Sequence, residues 1–130
     1  SSGLVDIAGE AVKNTYITSV AGDSTATESG KKFVEDYKAK FNKDPEGFSV
    51  YGYDSMGVFL TGLESAIKAN NGELPSKDKV AEAVRAVKDY KGALTDVSFD
   101  EKGDNVNAKI FLYKFEEASY PPVQVGEVGQ

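Results

Sequence analysis

The segment that most constrains this fold is residues 52–54, Gly-Tyr-Asp, which stands directly before a long amphipathic stretch. A glycine, an aromatic residue and an aspartate in that order predict a helix start, because an aspartate side chain can cap free N–H groups of the first turn. Far downstream, residues 99–104 read Phe-Asp-Glu-Lys-Gly-Asp, which predicts a strand, a tight acidic turn and a second strand. Neither segment contains catalytic chemistry, so both favour a binding protein over an enzyme.

The spacing of apolar residues predicts three helices among several strands. Apolar residues recur at helical intervals in two segments, residues 28–42 with a stripe of Phe33, Val34, Tyr37 and Phe41, and residues 54–69 with a broad face of Met56, Phe59, Leu60, Leu63, Ala66 and Ile67. Gly57 and Gly62 within the second segment predict close packing against another element, and Asn70-Asn71-Gly72 supplies left-handed residues that end the helix. A third helix is expected to begin after Ser76, whose side chain can cap it. β-Branched and aromatic residues predict extended segments at residues 15–20, 48–51, 94–99, 108–115 and 123–125. Helices between strands indicate an α/β layer architecture.

Composition narrows the possible classes of function. Hydrophobic residues make up 40% and charged residues 28% of the 130-residue chain, which is typical of one globular domain. The net charge of −6 opposes binding to a nucleic-acid backbone, because such binding needs concentrated Lys and Arg. The sequence has no histidine and no cysteine, which removes the usual general base near neutral pH, thiol nucleophiles and thiolate zinc sites. We therefore expect no cofactor, no metal and no enzymatic activity.

Three carboxylates crowd into one turn, at Asp100, Glu101 and Asp104 beside a glycine, which suggests a calcium loop. The EF-hand pattern needs acidic residues at alternating positions and a glutamate at the end of the loop, and this segment has neither. A solvated hairpin turn is the preferred interpretation.

Residues 47–54 are the strongest candidate for ligand contact, with three aromatic residues, two glycines and an expected helix start. In a parallel α/β sheet such a strand-to-helix corner lies at the carboxyl edge, where ligands bind. Helix amino ends also favour carboxylates. Phe48, Tyr51 and Tyr53 are the predicted ligand-binding residues. The alternative interpretation makes Phe48 and Tyr53 core aromatics and Asp54 only a helix cap.

Short segments in a fixed order carry a family resemblance through nearly the whole chain. They are Ile7-Ala8-Gly9-Glu10, Phe33-Val34 with Tyr37, Asp44-Pro45, Phe48, Gly52-Tyr53-Asp54, Val80-Ala81-Glu82-Ala83, Tyr90-Lys91-Gly92 and Phe99-Asp100-Glu101-Lys102-Gly103-Asp104. Together they resemble the carboxyl-terminal portion of the periplasmic branched-chain amino-acid binding proteins, the type I solute-binding proteins of ABC importers. The resemblance implies a partial type I α/β fold, with helices layered on a mostly parallel sheet and strands at the carboxyl end.

In that family, two α/β lobes close on an amino acid. By resemblance, residues 1–20 are a second-lobe segment and crossover, residues 21–100 a first-lobe α/β segment, and residues 101–130 the return strands to the second lobe with a tail. Phe48 matches a family position in the ligand cleft. The family residues that hold the ligand's α-carboxylate and α-amino groups mostly lie upstream of the portion that this chain resembles.

The leading hypothesis is part of an extracytoplasmic solute-binding protein, either free in the periplasm or lipid-anchored in its full-length form. The implied partners are a small amino-acid ligand in the intact protein, the membrane subunits of an ABC importer, and the remaining half of the fold or a second copy. No nucleic acid is expected. The alternative is a free-standing α/β interaction or regulatory module without a small-molecule ligand.

Overall fold

A computed structural model of the chain describes residues 2–129. The chain divides into a helical unit, Ser24–Ala108, and a strand unit built from residues 1–23 and 109–130. Along the described residues the elements are α1 (Ser2–Ala8), a 3₁₀ turn (Gly9–Val12), β1 (Tyr16–Ser19), α2 (Glu28–Phe41), α3 (Ser49–Ala69), α4 (Lys77–Arg85), β2 (Lys109–Lys114) and β3 (Val123–Gly129). The predicted assignment of residues 1–20, 21–100 and 101–130 to two lobes stays a prediction.

Local capping sets the ends of α2 and α4. α2 starts after Thr27, whose Oγ1 accepts a hydrogen bond from Gly30 N at 2.9 Å, and it ends at Asn42, a left-handed residue with a φ of 52°. α4 starts after Ser76, whose Oγ accepts a hydrogen bond from Lys79 N. Both predicted helices are confirmed. Their caps stabilise the helix starts, because they bind backbone N–H groups that have no partner inside the helix.

α3 starts at Ser49, so the extended segment predicted at residues 48–51 is wrong. Ser49 N donates to Glu46 O at 2.8 Å, and Ser49 Oγ accepts from Glu46 N at 3.0 Å, which closes a turn directly before the helix. Val50 is fully buried in the core of the helical unit. This tertiary burial outweighs the strand preference of a β-branched residue, which depends strongly on context.

α3 buries a narrow stripe whose members lie four residues apart and therefore share one face. The stripe consists of Val50, Asp54, Val58, Gly62 and Ala66. Met56, Phe59 and Leu60, which the sequence placed on the apolar face, are exposed. The face that packs is therefore only partly the predicted one.

Gly62 allows α3 to approach α4 closely. A Cβ at Gly62 would lie 2.6 Å from Val84 Cγ2 and 2.7 Å from Val84 Cα. We expect Gly62→Ala to lower the free energy of unfolding by about 1–3 kcal/mol, as overpacking does. Gly52→Ala is the matched control, since nothing lies within 4 Å of a Cβ there and alanine favours a helix by up to about 1 kcal/mol. Thermal unfolding compares the two variants, and an unchanged or raised midpoint for Gly62→Ala would contradict the close approach.

The strand predicted at residues 94–99 is wrong. Isolated bridges replace it, between Tyr90 and Val97 and between Phe99 and Asn105. Ala93 N and Leu94 N donate to a side-chain carboxylate, so these backbone donors are not available to a sheet ladder. Side-chain contacts from distant parts of the chain therefore decide the conformation of this segment.

The described strands form an antiparallel sheet in the order β1-β2-β3, which corrects the expectation of a mostly parallel sheet. Tyr16 lies opposite Lys114 in one pair, and Lys109 lies opposite Gly129 in the other. A parallel pair needs a crossover of about a dozen residues or more, whereas only residues 115–122 connect β2 to β3. The predicted strands at residues 15–20 and 108–115 are confirmed, and the extended segment at 123–125 reaches Gly129.

The strand unit has a small core of its own, with Val12, Phe111 and Phe115 buried. Asn14 N donates to Phe115 O at 2.7 Å, and Phe115 N donates to Thr15 O at 3.0 Å. These bonds continue the pairing of β1 with β2 beyond the strand ends. The sequence did not predict α1, a short helix with no acidic residue in its first turn and no basic residue in its last.

Candidate functional site

Asp54 is a buried carboxylate inside α3, not the helix cap that the sequence predicted. The residue is 6% exposed. Its Oδ1 and Oδ2 accept from Ala93 N at 2.8 and 3.0 Å, and Oδ2 also accepts from Leu94 N at 3.4 Å. Asp54 therefore ties α3 to residues 93–94 through backbone N–H groups, which offset the cost of burying a charge.

The carbonyl oxygen of Ala93 is held by the amino end of α2. Thr27 Oγ1 donates to Ala93 O at 2.7 Å, and Ser29 Oγ donates to the same oxygen at 2.8 Å. Both polar groups of one peptide residue are thus bound by side chains from two helices. We name these contacts of Thr27, Ser29 and Asp54 with Ala93 the Ala93 clamp.

Phe48 and Tyr51, two of the predicted ligand-binding residues, lie side by side at the start of α3, with ring centroids 6.2 Å apart. Phe48 is 63% exposed. Tyr51 is half-buried and packs against the core of the helical unit. The third residue, Tyr53, lies about 200° around the helix from Tyr51 and is 60% exposed. Phe48 and Tyr53 are therefore not core aromatics in this structure, and ligand contact by the three residues stays a prediction.

Tyr53 lines a groove between α2 and α3. Its ring lies 5.2 Å from Phe33, Phe33 lies 5.8 Å from Tyr37, and Tyr37 lies 4.7 Å from Phe41, measured between centroids. The groove has a volume of about 580 Å³, and Tyr90 also lines it. This volume falls among small-molecule pockets, which hold about 300–1,000 Å³. The aromatic stripe predicted on α2 as a packing face thus also forms a wall of this groove.

Tyr90 packs closely against α3 at Gly57. A Cβ at Gly57 would collide with the Tyr90 hydroxyl, so the close packing predicted for this glycine is confirmed. Burial raises the pKa of the Tyr90 hydroxyl, and the negative charge of Asp54 raises it further. Tyr90 is therefore a neutral hydrogen-bonding group at pH 7.

The solvated turn that the sequence favoured near residues 100–105 is present. Asp100 Oδ1 accepts from Asp104 N at 2.8 Å and from Lys102 N at 2.9 Å, and Gly103 has a φ of 90°. These backbone N–H groups, the one of Asp104 first, lower the pKa of the Asp100 carboxyl. Across residues 2–129, no group of three or more His, Cys, Asp or Glu side chains is placed to hold a metal ion.

Because the pKa of Asp100 is lowered in the folded protein, the free energy of unfolding decreases as the pH falls into the acid range. A carboxylate with a lowered pKa in the folded state stabilises the fold above its unfolded pKa, and this contribution is lost as pH falls through the folded pKa. We expect the thermal midpoint to fall with pH below about 4, and Asp100→Asn to show a smaller fall. Glu101→Gln, in the same turn, is the matched control. Parallel pH profiles of Asp100→Asn and the unmodified protein would contradict this prediction.

Thr27 and Ser29 are partners of the segment that follows α4, and no sequence pattern predicted this role. A threonine before a helix signals a cap, but its second contact joins Thr27 to a residue 66 positions away. No local pattern predicts a contact of that separation. Only the three-dimensional structure identifies the clamp.

Most of the chain, including residues of both units, matches one family of known proteins. Residues 1–119 match the periplasmic binding protein family. The Leu/Ile/Val-binding protein homolog 1 of Brucella suis is 32% identical over 122 residues, covering 92% of this chain and 30% of that protein. Its namesake in Brucella abortus is 29% identical over 124 residues, covering 87% of this chain and 32% of that protein. The chain belongs to the periplasmic binding protein family, which confirms the resemblance.

Solved structures agree on the fold. A leucine-binding protein of Thermotoga maritima superposes with a TM-score of 0.77 at 28% identity, covering 99% of this chain and 35% of that one. A solute-binding protein of an ABC transporter from R. palustris, solved with benzoate, gives a TM-score of 0.67 at 17% identity, covering 98% and 34%. The predicted partial type I α/β fold is confirmed, and the chain spans about a third of the length of the relatives it matches.

The family implies an extracytoplasmic location. Within residues 2–129, no helix combines the length and apolar character needed to cross a membrane.

Proposed function

We propose that this chain is the carboxyl-terminal part of a solute-binding protein that captures branched-chain or related amino acids for an ABC importer. The observation that carries the proposal is the match of residues 1–119 to the periplasmic binding protein family. The superposition on a leucine-binding protein at a TM-score of 0.77 supports the ligand class. Capture proceeds by closure of two lobes, one containing residues 21–100 and the other containing residues 1–20 and 101–130.

Phe48 and Tyr51 fit the role of contacts to an apolar ligand side chain. Phe48 is exposed at the first residues of a long helix, and Tyr51 beside it is anchored against the core. Apolar and aromatic walls on rigid elements are typical of small-molecule sites. Tyr53, on another side of α3, contributes to the aromatic groove rather than to this pair.

Reversible binding without catalysis suits the residues available. The sequence has no histidine, the commonest general acid or base near neutral pH, and no cysteine, whose thiolate is a strong nucleophile. The partners of the intact protein are then an amino acid and the membrane subunits of the importer, and a lipid anchor on the full-length protein is compatible with both.

Calorimetry on the intact protein that contains this chain tests the proposal. We expect binding of leucine, isoleucine or valine, and Phe48→Ala is expected to weaken it by about 10- to 100-fold, the cost of losing apolar surface that ligand binding would bury. Phe41→Ala is the matched control, since Phe41 is a similarly exposed aromatic in the groove. Loss of binding in Phe41→Ala alone would move the ligand to the groove, and absence of amino-acid binding by the intact protein would refute the proposal.

A further inference from the structure

The Ala93 clamp and Tyr51, one of the proposed ligand contacts, share the core cluster of the helical unit. Tyr51 and Asp54 are three residues apart on α3, so their side chains are neighbours on one face of the helix. Tyr51 packs against the core cluster that contains Ala93, and Asp54 binds the backbone of Ala93 and Leu94. The rotation of the first turn of α3 is thus fixed against residues 93–94.

Residues 92–94 are fixed in place by contacts other than those of Asp54. Thr27 and Ser29 bind Ala93 O from the amino end of α2. Gly92 has no room for a side chain, because a Cβ there would lie 2.7 Å from Asp54 Oδ2 and would also collide with Thr95 O. Movement of this segment therefore has to break contacts to two helices at once.

A charged side chain is an unusual choice for packing alone. Asp54 is buried, and among the described residues its bonds are to backbone N–H groups, with no lysine or arginine in an ion pair. An apolar residue would fill the same stripe without the cost of desolvating a charge. The directional bonds that Asp54 makes to residues 93–94 are what an apolar residue would not supply.

We propose that Asp54 is a positioning residue, which orients Phe48 and Tyr51 toward the ligand by locking the first turn of α3 to Ala93 and Leu94. The proposal rests on the proposed function for its ligand, but the lock itself is independent of ligand identity. In Asp54→Asn, an NH₂ group replaces one carboxylate oxygen. Two hydrogen-bond donors, this NH₂ group and a backbone N–H group, then face each other, so the lock is weakened while the side-chain volume is kept.

The test compares Asp54→Asn with Val58→Ala in the intact protein that contains this chain. Val58 is a buried residue one turn further along α3, and its truncation destabilises the helix packing without touching the clamp. We expect Asp54→Asn to weaken leucine binding by about tenfold, as the loss of hydrogen bonds to a charged group does. Val58→Ala should keep the affinity of the unmodified protein, even where it lowers the thermal midpoint as much as Asp54→Asn does. Equal affinities in the two variants would overturn the proposal.

Two further measurements keep the proposal falsifiable. If Asp54→Asn does not fold, Ser29→Ala removes one hydroxyl donor to Ala93 O and should weaken binding in the same direction, and unchanged affinity then counts against the clamp. If the intact protein binds no amino acid, the proposed function fails, and hydrogen exchange then tests whether Asp54 holds the start of α3 in place. Faster exchange of residues 49–53 and 93–94 in Asp54→Asn than in Val58→Ala supports it, and unchanged exchange of residues 49–53 overturns it.

Discussion

The 130-residue chain by itself is expected to bind leucine, isoleucine or valine about 100- to 4,000-fold more weakly than the intact protein, because a charged ligand group that loses its partners costs about 3–5 kcal/mol. By family resemblance, the residues that hold the ligand's α-carboxylate and α-amino groups mostly lie upstream of the portion that this chain matches. The chain spans about a third of the length of its relatives. In the proposed site, Phe48 and Tyr51 contribute apolar contact and no charged group to pair with either end of the amino acid.

Calorimetry of the isolated chain beside the intact protein measures this difference at the same temperature and buffer. The matched control is Phe48→Ala in the isolated chain, which should change little where there is hardly any binding to lose. Micromolar binding of a free amino acid by the isolated chain would contradict the prediction, and would mean that a complete site lies within these 130 residues.

The parts of the fold that sequence analysis predicted correctly are those set by nearby residues. The cap at Ser76 and the turn at Gly103 depend on bonds within a few positions, so their patterns are visible in the sequence. Asn71 and Gly72, predicted to end α3 with left-handed residues, have φ values of 56° and 84°. Such features are recognisable because the chemistry of one residue decides them.

The incorrect predictions concern segments whose conformation is decided by contacts with residues far away in the sequence. Residues 48–51 combine aromatic and β-branched side chains and so suggested a strand, but burial of Val50 against Phe33 and Ala93 makes them helical. Asp54 looked like a cap because the helix was expected to begin there. Its partners lie 39 and 40 positions away. Strand direction was wrong for the same reason, since pairing of β1 with β2 joins residues far apart in the chain.

The candidate site was predictable only in part. The aromatic segment at residues 47–54 selected Phe48, Tyr51 and Tyr53, and the family resemblance added support for Phe48 alone. The groove along Phe33, Tyr37 and Phe41, in contrast, arises when α2 packs beside α3. In any sequence, a stripe of aromatic residues at helical spacing predicts a face that packs against the core. Whether such a stripe is covered or open depends on which elements lie next to it.

α3 presents an uncovered apolar face, from which we expect the isolated chain to self-associate rather than remain a simple monomer. Met56, Phe59 and Leu60 are 56%, 43% and 53% exposed, and their spacing of three and four residues places them on one side of the helix. Burial of each side chain contributes about 1.5–3 kcal/mol, whereas association costs at least about 4 kcal/mol in lost translational and rotational freedom. The gain and the cost are comparable, so association should depend visibly on concentration.

Light scattering from micromolar to millimolar chain concentration tests this expectation, and Leu60→Lys should lower the average mass by placing a charge in the contact. Leu74→Lys is the matched control, because Leu74 is 88% exposed in the connection between α3 and α4 and away from this face. An equal effect of both lysines would indicate nonspecific charge repulsion instead of a contact through α3. One monomeric mass at every concentration, together with a cooperative thermal transition, would contradict the prediction. It would favour a free-standing module, since the exposed face of α3 would then need neither the rest of a larger fold nor a second copy to remain soluble.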